Sequence, residues 1–179
     1  MDCFVEEVLL NHQQIVDRSK ELGDIITSEY KFKTPILIGL LKGSVPFMAE
    51  LIKYIDCPME MDFLKVSSYS GTESTGRVNI KSDLAVDIFG RDILIVEDII
   101  DSGLTLMKVI ELLKERKPKS IEIVTLLDKN EGRIVKELIP KYIGFSIPNK
   151  FVIGFGLDYN ELYRNLDYIG VLKPSIYMK

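Results

Sequence analysis

The chain has 179 residues, 46% of them hydrophobic and 28% charged, an ordinary globular mixture long enough for one stable core without disulfide staples. A net charge of −4 excludes a general nucleic-acid binder, whose affinity rests on Lys and Arg neutralising phosphates. The two cysteines, Cys3 and Cys57, form no CxxC pair and read as reduced thiols; the opening MDCFVEEVLL lacks the basic end of a signal peptide, and no stretch nears the ~18 apolar residues of a membrane span, so the expected location is the cytoplasm.

In chain order, Val5, Val8, Leu9, Ile15, Val16, Leu22, Ile25 and Ile26 recur at helical spacing and predict an amphipathic helix over 4–29. The run 35–41, PILIGLL, is too short for a helix and predicts a strand buried on both faces. A Lys-Gly turn and a helix over about 45–55 follow. Residues 59–66 predict a strand, 67–77 (SSYSGTESTGR) a mobile polar loop, and 78–80 a returning hairpin partner. Further strands are predicted at 93–96, 120–127, 142–147 and 151–155, with a last apolar stretch at 170–172. A helix over 105–117, stopped by Pro118, separates the first two. Buried strands alternating with helices predict an α/β fold with a largely parallel twisted sheet flanked by helices. There is no repeat or linker, so 1–179 reads as a single domain, with a small hood or flap from the N-terminal and 148–179 segments.

The informative segment is 93–106, ILIVEDIIDSGLTL. An apolar strand ends in Glu97 and Asp98 at the edge where α/β sheets bind ligands. Asp101-Ser102-Gly103-Leu104-Thr105 then turns into a helix, offering backbone N–H groups, two hydroxyls and the positive end of a helix dipole to an anion. A phosphate cradle beside sugar-binding carboxylates fits a ribose 5-phosphate. The spacing of a P-loop is absent, and Gly154-Phe155-Gly156 lacks the rest of a dinucleotide fingerprint.

This segment resembles the phosphoribosyl pyrophosphate motif of type I phosphoribosyltransferases. The rest, from Leu40 to Arg164 and above all KFVIGFGLDYNELYR at 150–164, resembles the hypoxanthine (hypoxanthine-guanine) branch in its bacterial form. The resemblance implies transfer of a phosphoribosyl group from phosphoribosyl pyrophosphate to N9 of hypoxanthine or guanine, giving IMP or GMP, with Mg²⁺ as cofactor and a homodimer or homotetramer as the assembly. It implies ribose and 5-phosphate binding at Glu97, Asp98 and 101–105, with Asp101 as general base. Pyrophosphate would lie against Leu41, Lys42, Gly43 and Arg164, where the Leu41–Lys42 peptide can be cis. Ser68 and Tyr69 would close a lid. Lys129, Phe151, Val152 and Asp158 would hold the purine, and Glu97, Asp98 and Asp158 the metal. An ammonium at Lys129 has donors and no acceptor, so it suits a 6-oxo group and opposes the amino group of adenine. Position 104 is Leu where some members carry Lys. The alternatives are a xanthine-preferring relative and a nucleic-acid-binding sensor of phosphoribosyl pyrophosphate. The one histidine, His12, is far from every motif and reads as a surface or packing residue.

Overall fold

The computed structural model describes residues 3–67 and 79–178. Its main sheet joins β2 (Ile36–Leu40), β3 (Glu60–Ser67), β4 (Asn79–Ser82), β5 (Asp92–Ile100), β6 (Ser120–Asp128) and β7 (Tyr142–Ser146) in the order β4-β3-β2-β5-β6-β7. All neighbours are parallel except the β3–β4 edge hairpin. On the central strands both parities are buried. Leu37, Leu94, Val96 and Val124 face α1 (His12–Tyr30) and α2 (Ser44–Leu51), whereas Ile36, Ile38, Ile93, Ile95 and Ile123 face α3 (Leu104–Glu115). This two-sided cover is why the strands read as unbroken apolar runs.

A second sheet, antiparallel, has the order β1 (Val5–Leu10), β9 (Ile169–Leu172), β8 (Val152–Ile153), followed by the short α4 (Pro174–Tyr177). It draws together both ends of the described chain. Here the sequence reading needs correction. Residues 5–10 are a strand, and the helix begins only at His12, behind an Asn11 N-cap whose side chain accepts from the Gln14 amide while Gln14 reaches back to the Asn11 N–H. Val5, Val8 and Leu9 fit a helical period too, but this capping box marks the true start. The strand predicted over 151–155 shrinks to two residues, because Gly154 turns to φ +97°. His12 is exposed, with Nδ1 3.2 Å from the Asp167 carbonyl oxygen.

In the main sheet the chain steps from β2 to β3 on one side and continues with β5 on the other. The strand order therefore reverses between β2 and β5, and ligands of open α/β sheets bind beyond the carboxyl ends of strands at such a crevice. The two segments that leave these strands are 41–43 and 97–105.

Candidate active site

β5 outruns β2: their pairing ends at Gly39 and Val96, while β5 stays paired with β6 as far as Ile100 and Asp128. Glu97 and Asp98 thus lie within a strand rather than at its end, as the sequence reading had them. Neighbouring residues on a strand face opposite ways, and this pair is divided accordingly. Glu97 lines a cavity of about 150 Å³ with Ile99, Ile100, Asp101, Ser102, Gly103, Thr105 and Leu106. Asp98 lines another, of about 260 Å³, with Ile99, Asp101, Lys129, Phe151, Val152, Leu157 and Asp158. Ile99 and Asp101 belong to both walls.

The smaller cavity lies where the sequence places a cradle at 101–105. Gly103, at φ +81°, turns the chain into α3; it has no side chain to cap that helix, and Ser102 Oγ accepts from the Leu104 amide at 3.4 Å. The Met107 amide closes the first turn onto the Gly103 carbonyl, so the amides of Thr105 and Leu106 have no intrahelical acceptor. A side chain at Gly103 would strike Leu138 at 2.8 Å. Ser102 is held through its carbonyl, which accepts from the amides of Ile134 and Val135 at 3.0 and 3.1 Å. Leu104 does not line the cavity; its side chain is exposed.

The larger cavity brings together the four residues expected to meet a purine, Lys129, Phe151, Val152 and Asp158. Lys129, buried at the end of β6, donates from Nζ to Asp101 Oδ2 at 3.3 Å. One donor and one acceptor thus share a wall. The ammonium suits a 6-oxo acceptor, and the carboxylate beside it suits a ring nitrogen that carries a proton.

On the β2 side, the turn Leu41-Lys42-Gly43 is spanned by the buried Ser44 hydroxyl, which donates to the Leu40 carbonyl at 2.7 Å, and the Leu41–Lys42 peptide is cis. A methyl group at Gly43 would run into the Asp98 carboxylate, and one at Gly156 into the Gly43 carbonyl. Only hydrogen at these two positions lets turn, strand and the 154–164 loop close on one another. Arg164 donates from Nη1 to the Gly156 carbonyl at 2.7 Å, and its Nη2 lies 2.9 Å from Asp158 Oδ1. Lys42 pairs with Glu161 at 2.7 Å, which ties that turn to the same loop. Phe155, Asn160, Glu161 and Tyr163 all hold positive φ there, a cluster of backbone strain of the kind that gathers at binding sites. The lid residues Ser68 and Tyr69 lie outside the described residues.

Two contributors escaped sequence reasoning. Glu161 bridges Lys42 and Arg164, and only its place in the 158–164 motif could have flagged it. Arg133 is buried and donates to the carbonyls of Asp101 at 3.3 Å and Leu138 at 2.5 Å while pairing with Asp128. An arginine four residues after Lys129 carries no signal of that in sequence.

Burial raises the Glu97 carboxyl well above the usual carboxylate range, and the neighbouring Asp98 adds to it. Burial also lifts Asp98 to about 6, against the pull of the Ile99 amide and Arg164. A carboxyl whose folded pKa exceeds its unfolded value destabilises the fold as it ionises. Stability is therefore lost as pH climbs from about 4, the free-carboxyl range, through the folded values. In metal-free buffer at pH 8, Glu97→Gln should raise the melting temperature by a few degrees and flatten its fall with pH. Scanning calorimetry at several pH values checks this; an unchanged or lower melting temperature would contradict it.

Among the described residues no group of three or more His, Cys, Asp or Glu side chains is placed to hold a metal, so Glu97, Asp98 and Asp158 do not form a cage. Asp98 and Asp158 nonetheless face one cavity, and Mg²⁺ is commonly bound through one or two carboxylates plus waters and substrate phosphates. The donors present fit that mode.

Residues 6–160 match the family model described as phosphoribosyl transferase domain, and the chain belongs to that family. Its similarity runs to one branch. It is 58% identical over 180 residues to the hypoxanthine-guanine phosphoribosyltransferase of Lactococcus lactis, covering 100% of this chain and 97% of that protein. The namesake from Bacillus subtilis is 56% identical over 97% of this chain and 96% of its own length. The crystal structure of a hypoxanthine phosphoribosyltransferase from Staphylococcus aureus superposes with a TM-score of 0.92 at 52% identity, covering 97% of this chain and 94% of that one.

Proposed function

We propose that the chain is a purine salvage enzyme that moves the phosphoribosyl group of phosphoribosyl pyrophosphate onto N9 of hypoxanthine and guanine, releasing pyrophosphate with IMP or GMP. The observation that carries this is the meeting of two cavities at Asp101: an amide-lined cradle suited to a 5-phosphate, and a pocket walled by Lys129 and Phe151 suited to a 6-oxopurine. The names of the relatives favour hypoxanthine and guanine over a xanthine-preferring enzyme or a nucleic-acid-binding sensor.

In this reading the amides of 103–105 and the hydroxyls of Ser102 and Thr105 hold the 5-phosphate, with Leu104 contributing backbone only. Glu97 and Asp98 flank the sugar from the two faces of β5. Leu41, Lys42, Gly43 and Arg164 hold the pyrophosphate. Lys129 donates to the 6-oxygen, Phe151 stacks on the base, and Val152 reads it through its backbone. The bond from the anomeric carbon to pyrophosphate breaks as the bond to N9 forms, with inversion. Asp101 takes the proton that leaves the purine ring nitrogen, 3.3 Å from the Lys129 ammonium that fixes the neighbouring oxygen. Asp98 and Asp158, with Glu97 on the other face of β5, would hold Mg²⁺, which would supply neutralisation of the charge on the leaving pyrophosphate. Ser68 and Tyr69 close over the site to exclude water. The same reading carries a cytoplasmic location and a homodimer or homotetramer.

The test is a spectrophotometric assay with phosphoribosyl pyrophosphate, Mg²⁺ and each of hypoxanthine, guanine, xanthine and adenine. Turnover is expected with the first two, none with adenine, and loss of turnover on adding EDTA that excess Mg²⁺ restores. Turnover of adenine, or of xanthine alone, would overturn the assignment.

A further inference from the structure

Phe151 sits in an aromatic cluster that the reaction scheme leaves unused. It precedes β8, and its carbonyl accepts from the Leu172 amide at 2.9 Å, stitching it to β9. The chain then enters α4 with Pro174 in its first turn, which suits a residue with no N–H to satisfy. At the far end of α4, the Tyr177 ring stacks on Phe151, with centroids 4.9 Å apart and planes inclined by 24°. Tyr159 meets the same ring edge-on at 5.7 Å and 86°, and its hydroxyl donates to the Ile176 carbonyl at 3.4 Å. Phe151 lines the 260 Å³ cavity; Tyr159 and Tyr177 do not. The two tyrosines therefore brace the ring from outside the cavity. Phe151 is 37% exposed, so without a brace it would have rotamer freedom to lose whenever a base binds.

We propose that Tyr177 is a positioning residue for the purine, acting through Phe151 to hold the stacking face ready before the base arrives. This rests on the reading of Phe151 as the residue that stacks on the base. Tyr177 is not among the residues that line the phosphate cradle, so its effect should fall on the base alone.

Steady-state kinetics of Tyr177→Ala, Tyr177→Leu, Tyr177→Phe and Phe151→Ala tests it. Tyr177→Ala should raise KM for hypoxanthine roughly 2- to 10-fold, the range that an aromatic pair's preference corresponds to. KM for phosphoribosyl pyrophosphate and kcat should stay within twofold. Tyr177→Phe should restore the parent value, and Tyr177→Leu, which keeps bulk without a ring, should not. An unchanged or lowered KM for hypoxanthine in the Ala variant would overturn the proposal. So would a matched loss in both KM values and kcat, or rescue by Leu as complete as by Phe. If Phe151→Ala itself leaves KM for hypoxanthine unchanged, the stacking reading falls and takes the proposal with it. If that variant raises KM while Tyr177→Ala does not, only the role of Tyr177 falls.

Discussion

Asp101→Asn should lower kcat by about 10²- to 10⁴-fold, the usual contribution of a positioned general base, while KM for both substrates changes only a few-fold. The amide has the shape of the carboxylate, so it still fits above Gly132, where an added methyl would lie 2.7 Å from Asp101 Oδ1. What it loses is the capacity to accept a proton. Asp101 is the ionisable residue common to both cavities, and its largely exposed side chain is open to a bound base. Because its task arises in the transition state, kcat and kcat/KM should fall together. Steady-state rates with hypoxanthine check this, and a variant with the parent kcat would remove Asp101 from the proton transfer.

Arg133→Met should be the most destabilising single change at the site. The Arg133 and Asp128 side chains are 4% and 8% exposed, and the guanidinium also serves the carbonyls of Asp101 and Leu138. Methionine fills much of the volume but leaves the Asp128 carboxylate buried without its partner, a loss of about 3–5 kcal/mol. For a chain of this size that corresponds to a drop in melting temperature of roughly 6–20 °C. Asp128→Leu in the same background should recover part of it, since an apolar pair avoids the stranded charge. A melting temperature for Arg133→Met within a degree or two of the parent would refute this account.

The main sheet was legible because its signals are local. Ile36–Leu40 and Ile93–Val96 are apolar on both parities, as Ile123–Leu127 is apart from Thr125, and a strand covered on two faces explains that. The cradle was legible for the same reason, since strand, turn and helix start follow one another within 93–106. The second sheet was not. β1 acquires its identity from Ile169–Leu172 at the other end of the chain, and nothing within 5–10 announces that partner. The base pocket was legible only through family resemblance. Lys129, Phe151 and Asp158 come from three separate segments, and taken singly each has an ordinary structural role. Arg133 and Glu161 act through contacts with Asp101, Asp128, Lys42 and Arg164 that the linear order does not disclose.

The opposed facing of Glu97 and Asp98 makes the enzyme separable into an anchor and a selector. Phe151, Val152 and Leu157 can be exchanged without touching any wall of the cradle, because the two compartments have only Ile99 and Asp101 in common and it is Lys129 that pairs with Asp101. In the proposed function, base preference is then free to drift, or to be redesigned, on one side of a single strand while the sugar phosphate site on the other keeps its walls.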